Sequence, residues 1–513
     1  MISFSSAAKI LIYTPNISPS HIVMSGRMAD VLIKAGHDVV LFIPEYDPSV
    51  TLNGTKNAKI WRMSNISDAF IRGMNDFGSG LFTEPYGGFV ARKAFETALG
   101  EMCEDLMSRQ KDFEQIKNYN FDIVITEMID LCGLGIMRYL GIKNHIWHST
   151  TPLHDNVAYN LGVPNPASYI PSTEENLIGP KMTFFEKAFN FYMHFITLYI
   201  HHYATDRATE AIQKYAGPNF PNVRQIASES ALAVINSDEF LDIARPVLHK
   251  TVYIGGLGIG DPKPVEEEPF KSFISQSKKG VIVFSLGTIA PTTMMTLKVK
   301  ENLIKTFTEF EDYNFIMKID KDDKEMIDLC TKAKNILITT WMPQSDILGH
   351  PKIKFFIMHG GFNGLLESAI RGCPVIVIPI FADQQRNAKM AEYRGFGIVV
   401  EKTNLEGSAL KSAIQTILNN PNFSQKAKRI SKLIKSKPFK ADEVFVKWIE
   451  FVVENGNLPE LTPEGANMGW IEYFCLDVIF VGYLAGLFIL LFIAYFVKKI
   501  LFLCINSVKV KNE

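Results

Sequence analysis

Short apolar runs alternate with helix-patterned stretches along most of this chain, and no other feature restricts its fold as much. In the N-terminal half the runs are Lys9–Thr14, Asp38–Ile43, Asp122–Thr126, His145–His148, Leu232–Ile235 and Val252–Ile254. In the C-terminal half they are Val281–Leu286, Asn314–Ile319, Asn335–Thr340, Lys354–Met358, Pro374–Ile380 and Gly397–Val400. Continuous apolar runs suit strands covered on both faces, which is the condition of a parallel sheet. Helical patterns fill the gaps, among them His21–Ala35, Gly133–Leu140, Asn363–Arg371 and Gln384–Arg394. The repeated βα pattern predicts an α/β chain of two Rossmann-like, doubly wound domains facing each other across a cleft. The first domain is expected over residues 1–250, a Gly- and Pro-rich hinge over 251–268, and the second domain over 269–455. The hinge carries Gly256-x-Gly258-x-Gly260. Its spacing is GxGxG, and Asp261-Pro262 follow it instead of a helix, so it is not read as a dinucleotide loop.

Composition excludes several classes. Lys+Arg is 53 against Asp+Glu 54, which gives a net charge of −1 and none of the basic excess a nucleic-acid binder needs. Hydrophobic residues make up 47% of 513, so disorder is excluded as well. Six cysteines without a CxxC pair point to neither a disulfide scaffold nor a zinc ribbon. Mean hydropathy is slightly positive, +0.07, and part of that excess lies near the C-terminus. Ile479–Val497 carries no charge, and as a helix it is about 28 Å long, close to a bilayer's hydrocarbon thickness. Tyr483 and Tyr495 sit near its ends, and Lys498-Lys499 follow it. A juxtamembrane segment (456–474), one transmembrane helix (475–497) and a cytosolic tail (498–513) are therefore expected, with the large domain on the far side of the membrane. Lys509 and Lys511 resemble a dilysine retrieval signal, which implies the endoplasmic reticulum. MISFSSAA, ahead of Lys9, lacks the pattern of a signal peptide. A luminal domain then expects an upstream start, and a tail-anchored cytosolic domain is the other reading. Sequons at Asn16, Asn53, Asn65 and Asn422 are near chance and decide nothing. The aromatic run Met182–Tyr203 is interrupted by Glu186, Lys187 and histidines, so it is not expected to span. It reads as a helix lying on the membrane, lining an apolar pocket, or simply facing the core.

Chemistry concentrates in Phe355–Gly397. A buried strand ends at Met358, His359-Gly360-Gly361 turns, and Asn363-Gly364 opens a helix. Such a helix start offers unpaired N–H groups and a positive dipole end to a phosphate. His359 and Asn363 can add donors, and Glu367, one turn on, can accept from ribose hydroxyls. Asp383-Gln384 follows the next strand, where ligands bind in open α/β sheets, and suits sugar hydroxyls. Upstream, Trp341 can stack on a base, Gln344 can read its edge, and Ser285 and Thr288 can meet base, ribose or phosphate. Taken singly, each residue has a structural explanation. Their order along the chain points to one ligand with base, ribose, phosphates and sugar.

Trp341-x-Pro343-Gln344-x-Asp346-x-Leu348-Gly349-His350-Pro351, then His359-Gly360-Gly361-x-Asn363-Gly364-x-x-Glu367 and Asp383-Gln384-x-x-Asn387-Ala388, closely resemble the signature of the UDP-glucuronosyltransferases, the animal branch of the UDP-glycosyltransferases. Phe284–Gly287 and Leu476–Val478 extend the likeness over nearly the whole chain. The resemblance implies a GT-B fold, an acceptor-binding first domain, a UDP-sugar-binding second domain and a luminal catalytic part. It implies UDP contacts at Ser285, Thr288, Trp341, Gln344, His359, Gly360, Gly361, Asn363, Gly364 and Glu367, and sugar contacts at Asp383 and Gln384. It also places the catalytic base at His21, which can take a proton from an acceptor hydroxyl. The family orients this His with an Asp, whereas here Phe121–Thr126 leads to Glu127. Asp130 is the fallback, with His148, His154 and Asp155 as outsiders, and His37 reads as structural. Met358 stands where relatives often carry a hydroxyl residue, which puts one phosphate contact in doubt.

The implied reaction is inverting transfer of a hexosyl group, glucuronosyl before glucosyl, to a small lipophilic acceptor. No metal and no cofactor beyond the UDP-sugar co-substrate is expected, and Asp320-x-Asp322 is read as a solvated loop. Arg386 is the cation nearest in sequence to the sugar pair. Membrane and a second copy of the chain are candidate partners; nucleic acid is not. A binding-only protein that kept the fold is the rival reading. Glu127 favours it, while His21 and the donor signature oppose it.

Overall fold

The computed structural model describes residues 7–78, 80–82, 88–173 and 176–510, with side chains at all of these except 76–78, 88, 470 and 504–510. Residues 1–6 and 511–513 lie outside it, and so do Lys511 and the Lys509 side chain of the expected retrieval signal.

The first sheet holds β1 (Lys9–Tyr13), β2 (Asp38–Pro44), β3 (Lys59–Met63), β4 (Ile123–Glu127), β5 (His145–Ser149), β6 (Leu232–Ile235) and β7 (Thr251–Tyr253), in the order β3-β2-β1-β4-β5-β6-β7. The second holds β8 (Gly280–Ser285), β9 (Tyr313–Lys318), β10 (Ile336–Thr339), β11 (Ile353–Met358), β12 (Val375–Val377) and β13 (Gly397–Val399), in the order β10-β9-β8-β11-β12-β13. All their pairings are parallel. The strand order reverses between β1 and β4 and again between β8 and β11. Open α/β sheets bind ligands at the carboxyl ends of the strands at such points. Register brings the two ends together, with Tyr13 opposite Thr126 and Ser285 opposite Met358. The residues that follow these strands therefore converge: His21 with Glu127, and Ser285 with His359.

β3 was not foreseen. Lys59 and Arg62 interrupt its apolar character, because this edge strand leaves most of its side chains partly exposed. β7 pairs with β6, so the first sheet runs past residue 250 into the expected hinge. Helix Ala441–Asn455, expected in the second domain, places Phe445, Ile449 and Val452 in the core around Ile22 and Met28 of the first. The chain thus returns to its first domain after finishing the second.

Helix Phe184–Ala216 is longer than the aromatic run that announced it. A capping box between Thr183 and Glu186 starts it, and Gly217 follows its end. It packs on helix Gly88–Ser108, and a disulfide joins Cys103 of that helix to Cys132 at the start of helix Cys132–Tyr139. Cysteine spacing gave no sign of this bond, because its partners are brought together only by helix packing beside β4.

Residues 462–513 form a separate unit. Its main element is helix Leu476–Val510, of which the 28 residues Leu476–Leu503 are apolar enough to cross a membrane, and none of those in its apolar window is buried. The helix continues past Lys498 and Lys499, beyond the expected end at residue 497.

Candidate active site

A cleft of about 1030 Å³ lies between the two sheets' carboxyl edges and is lined from both domains. From the first domain it takes His21, Arg27, Thr150 and His154. From the second it takes Ser285, Thr288, Trp341, Gln344, His359, Gly361, Asn363, Gly364, Glu367, Asp383 and Gln384. Two of the residues expected at the site, Gly360 and Glu127, stand behind this lining.

His21 is the third residue of helix Pro19–Lys34, and Pro19 starts that helix where a missing N–H costs nothing. Its Nδ1 lies 3.3 Å from Glu127 Oε1, an ion-pair distance whose angle falls short of a hydrogen bond. Nε2 is the nitrogen left to meet a substrate. Glu127 is fully buried at the end of β4 and is held on three sides. Oε2 accepts from the Ile129 N–H at 2.8 Å, and Oε1 accepts from the Thr150 hydroxyl at 3.0 Å besides facing His21. Burial pushes the Glu127 carboxyl up, but the charges of His21 and His148 and the Ile129 N–H outweigh it and hold the group below its ordinary value. Glu127 is thus an ionised carboxylate beside the imidazole.

The alternatives are occupied elsewhere. Asp130 accepts from the Tyr13 and Tyr46 hydroxyls at 2.5 and 2.9 Å and from the Cys132 N–H at 3.1 Å, and burial pushes it up to about 6. Asp155 accepts from Asn165, Ser172 and Thr173. His148 has Nδ1 3.2 Å from the Val234 carbonyl and Nε2 3.4 Å from Thr150, and burial lowers it to about 4. His154 lines the cleft and pairs with Thr151 at 2.7 Å. His37 accepts from the Ala8 N–H and faces Glu450, a structural role.

On the donor side, Gly361 caps helix Phe362–Arg371. The half-buried His359 ring lies between Gly287 and Gly361. A Cβ at Gly287 would stand 2.6 Å from its Cε1, and one at Gly361 would stand 2.4 Å from its Nε2. These glycines therefore make room for an imidazole as well as for a ligand. Burial, and then the Lys318 charge, push His359 down to about 4 against an opposing backbone hydrogen bond to Ser285, so it is neutral at neutral pH. Lys318 Nζ donates to the Gly287 carbonyl at 2.8 Å. Met358 packs under the helix, with its Cε 3.2 Å from where a Cβ of Gly364 would be.

Several donor-side groups are already engaged. Asn363 Oδ1 accepts from Asn236 at 2.7 Å, and its amide donates to the Ser20 carbonyl at 3.4 Å, across the cleft. Glu367 Oε1 takes Arg27 at 2.9 Å and Oε2 takes Gln344 at 2.9 Å. Gln384 Oε1 accepts the N–H groups of Ile380 and Phe381 at 2.8 and 3.2 Å, which leaves its amide hydrogens for a ligand. Asp383 accepts from Asn387 at 2.8 Å, and burial raises its carboxyl above the ordinary value. Trp341 is the opposite case, 62% exposed with an open indole face. Arg386 does not line the cleft. It is fully buried and donates to Asp242 at 2.8 Å. Asp320 is tied to Thr292, and Asp322 is exposed.

Sequence reasoning missed Thr150 and Arg27. Thr150 was within reach, since Ser149-Thr150-Thr151 leaves the carboxyl end of β5 at the same edge. Nothing in the sequence pairs Arg27 with a residue of the other domain.

The chain matches the family described as UDP-glucoronosyl and UDP-glucosyl transferase over residues 8–513. It is 35% identical to "Putative UDP-glucuronosyltransferase ugt-48" of Caenorhabditis elegans, over 97% of this chain and 95% of that one. It is 28% identical to UDP-glucuronosyltransferase 1A7 of Rattus norvegicus, over 96% and 91%. Among solved structures, a UDP-glucosyltransferase from Polygonum tinctorium has TM-score 0.60 at 12% identity, covering 87% of this chain and 99% of its own. That likeness carries the GT-B fold alone. With the family matched across the chain and two parallel-sheet domains facing one cleft, the protein belongs to the UDP-glucuronosyl and UDP-glucosyl transferase family and is a UDP-glycosyltransferase.

Proposed function

We propose that the chain transfers a hexosyl group, with inversion, from a UDP-sugar to a hydroxyl of a small lipophilic acceptor. The observation that carries this reading is the His21–Glu127 contact at 3.3 Å, set in a cleft whose other wall carries the donor signature. His21 Nε2 takes the acceptor's O–H proton while the acceptor oxygen bonds to the anomeric carbon. The bond from that carbon to the UDP oxygen breaks, and its electron pair leaves with the diphosphate. Glu127 stabilises the imidazolium. The N–H groups opening helix Phe362–Arg371 and the His359 ring take the charge that develops on UDP, a role that calls for no metal in this reading.

Glucuronosyl transfer is the first reading of the donor and follows the names of the relatives. Glucosyl transfer is the second, favoured by the burial of Arg386 against Asp242 and by the engagement of Arg27 with Glu367 and of Arg92 with Glu96. Of the cations lining the cleft among the described residues, Arg27 and Arg92 are ion-paired and Lys318 donates to the Gly287 carbonyl, so a glucuronate carboxylate would compete with those partners. The part before residue 462 is read as luminal in the endoplasmic reticulum, anchored by Leu476–Leu503. The Cys103–Cys132 disulfide supports an oxidising compartment. Release of UDP from UDP-glucuronate and UDP-glucose by membranes bearing the full chain, with a phenolic acceptor, tests activity and sugar together. Hydrolysis and transfer both absent with every donor would overturn the enzymatic reading.

A further inference from the structure

Helix Phe184–Ala216 is inside out over its first half. Its outward stripe is aromatic: Phe184, Phe185, Phe191, Tyr192, Phe195 and Tyr199 are all exposed, the first two 77% and 82%. They recur at helical spacing along one face. The inward face carries the polar groups instead, and each is matched to a partner. Asn190 accepts from the Ser172 N–H at 2.8 Å and donates to the Ala167 and Ile170 carbonyls. Thr197 bonds Ser172 at 3.1 Å, and His201 bonds Asn160 at 2.8 Å. A helix on a water-facing surface has the reverse arrangement. The patch extends to helix Gly88–Ser108, where the Phe89 ring lies tilted 5.8 Å from that of Tyr199 and Val90 is exposed. A contiguous aromatic surface of this kind marks a partner.

We infer that this face seats in a lipid bilayer, with one helix between the lipid and the cleft. Three observations choose the bilayer over a protein. The chain carries its own apolar helix, Leu476–Leu503, so a bilayer is the surface to which it is tethered. Aromatic side chains, including tyrosines with a polar tip, suit the interfacial layer, and Lys181 and Lys187 stand exposed near the helix start, where they can meet lipid headgroups. Met193, Ile196 and Ile200 of the same helix line the cleft, so one helix separates the aromatic face from the catalytic space. The inference rests on the membrane-anchored reading.

The test places the photoreactive residue p-benzoylphenylalanine at Phe185, Phe195, Phe439 or Leu490 of the full chain, in bilayers of radiolabelled phosphatidylcholine and phosphatidylserine. Phe439 is an exposed control elsewhere on the domain, and Leu490 reports the anchor. Retained UDP release shows that each variant is folded. Lipid adducts at Phe185 and Phe195 several-fold above Phe439, with Leu490 labelled, support the inference. Labelling at Leu490 with no excess at Phe185 and Phe195 overturns it. A chain–chain adduct at Phe185 also overturns it and makes the occupant a second copy. No labelling at Leu490 sinks the anchored reading itself.

Discussion

His21 Nδ1 stands 3.3 Å from Glu127 Oε1, although the carboxylate arm is one methylene longer than the Asp that the family resemblance leads one to expect. The extra length is absorbed by two restraints on the carboxylate, the Ile129 N–H and the Thr150 hydroxyl. Shortening the arm to the expected Asp is therefore not a repair. Glu127→Asp withdraws the carboxylate from His21 and from Thr150, and kcat falls below that of the parent. Glu127→Gln keeps the shape, loses the charge, and lowers kcat by about 10²–10⁴-fold, as does His21→Ala. UDP binding, measured by calorimetry, stays near the parent's in all three. Glu127→Asp at or above parental kcat would refute the argument.

Thr150 acts through Glu127, and its removal separates positioning from binding. Thr150→Val is nearly isosteric but leaves Glu127 with one donor fewer. One hydrogen bond to a carboxylate is worth about 1.5 kcal/mol, so kcat drops roughly tenfold. KM for the UDP-sugar is unchanged, because Thr150 stands on the first domain's wall of the cleft. Thr150→Ser restores most of the loss. A rise in donor KM equal to the fall in kcat would assign Thr150 a merely structural part.

Asp130 gives the fold a pH dependence of its own. Burial, against its bonds to Tyr13, Tyr46 and Cys132, raises it from 3.8 to about 6. The folded state binds this proton more tightly than the unfolded chain does. Its contribution is full below about pH 4 and is lost as pH rises through about 6, in all about 3 kcal/mol. Asp130→Asn is neutral throughout and removes that slope. The thermal-inactivation midpoint of the parent falls relative to that of Asp130→Asn as pH rises from 4 to 7. Parallel profiles would mean that Asp130 does not titrate in this range.

Most strands and the residues expected to hold the donor, which the structure brings to one cleft, were legible because each depends on local chemistry. β8 and β11 are continuous apolar runs, and the turn at His359-Gly360-Gly361 announces a helix start. What stayed hidden depends on distance. β3 hid because Lys59 and Arg62 belong to an edge strand. The Cys103–Cys132 bond needs two helices packed together, and the return of Phe445 to the first domain's core needs the whole second domain folded. The aromatic run Met182–Tyr203 was visible, but its direction was not. A 3.6-residue pattern names a face, and the buried partners of Asn190 and His201 decide which face turns inward.

Arg27 and Glu367 join the two domains at the position proposed for the donor's ribose. Glu367 takes Arg27 on one oxygen and Gln344 on the other, both at 2.9 Å, and each carboxylate oxygen keeps a further lone pair for a hydroxyl. The two donors fix the carboxylate plane before the nucleotide arrives. Arg27→Ala frees one side of Glu367 and removes a cross-cleft tie worth about 1–1.5 kcal/mol in this partly buried pair. KM for the UDP-sugar then rises roughly 5–10-fold while kcat at saturation changes little, since Arg27 touches neither the base nor the reacting carbon. Arg27→Lys recovers the charge without the planar fork and lies between the two. Initial rates over a range of UDP-sugar at fixed acceptor measure the split. A fall in kcat with KM unchanged would show that Arg27 serves domain closure during the chemical step instead of preparing the ribose site.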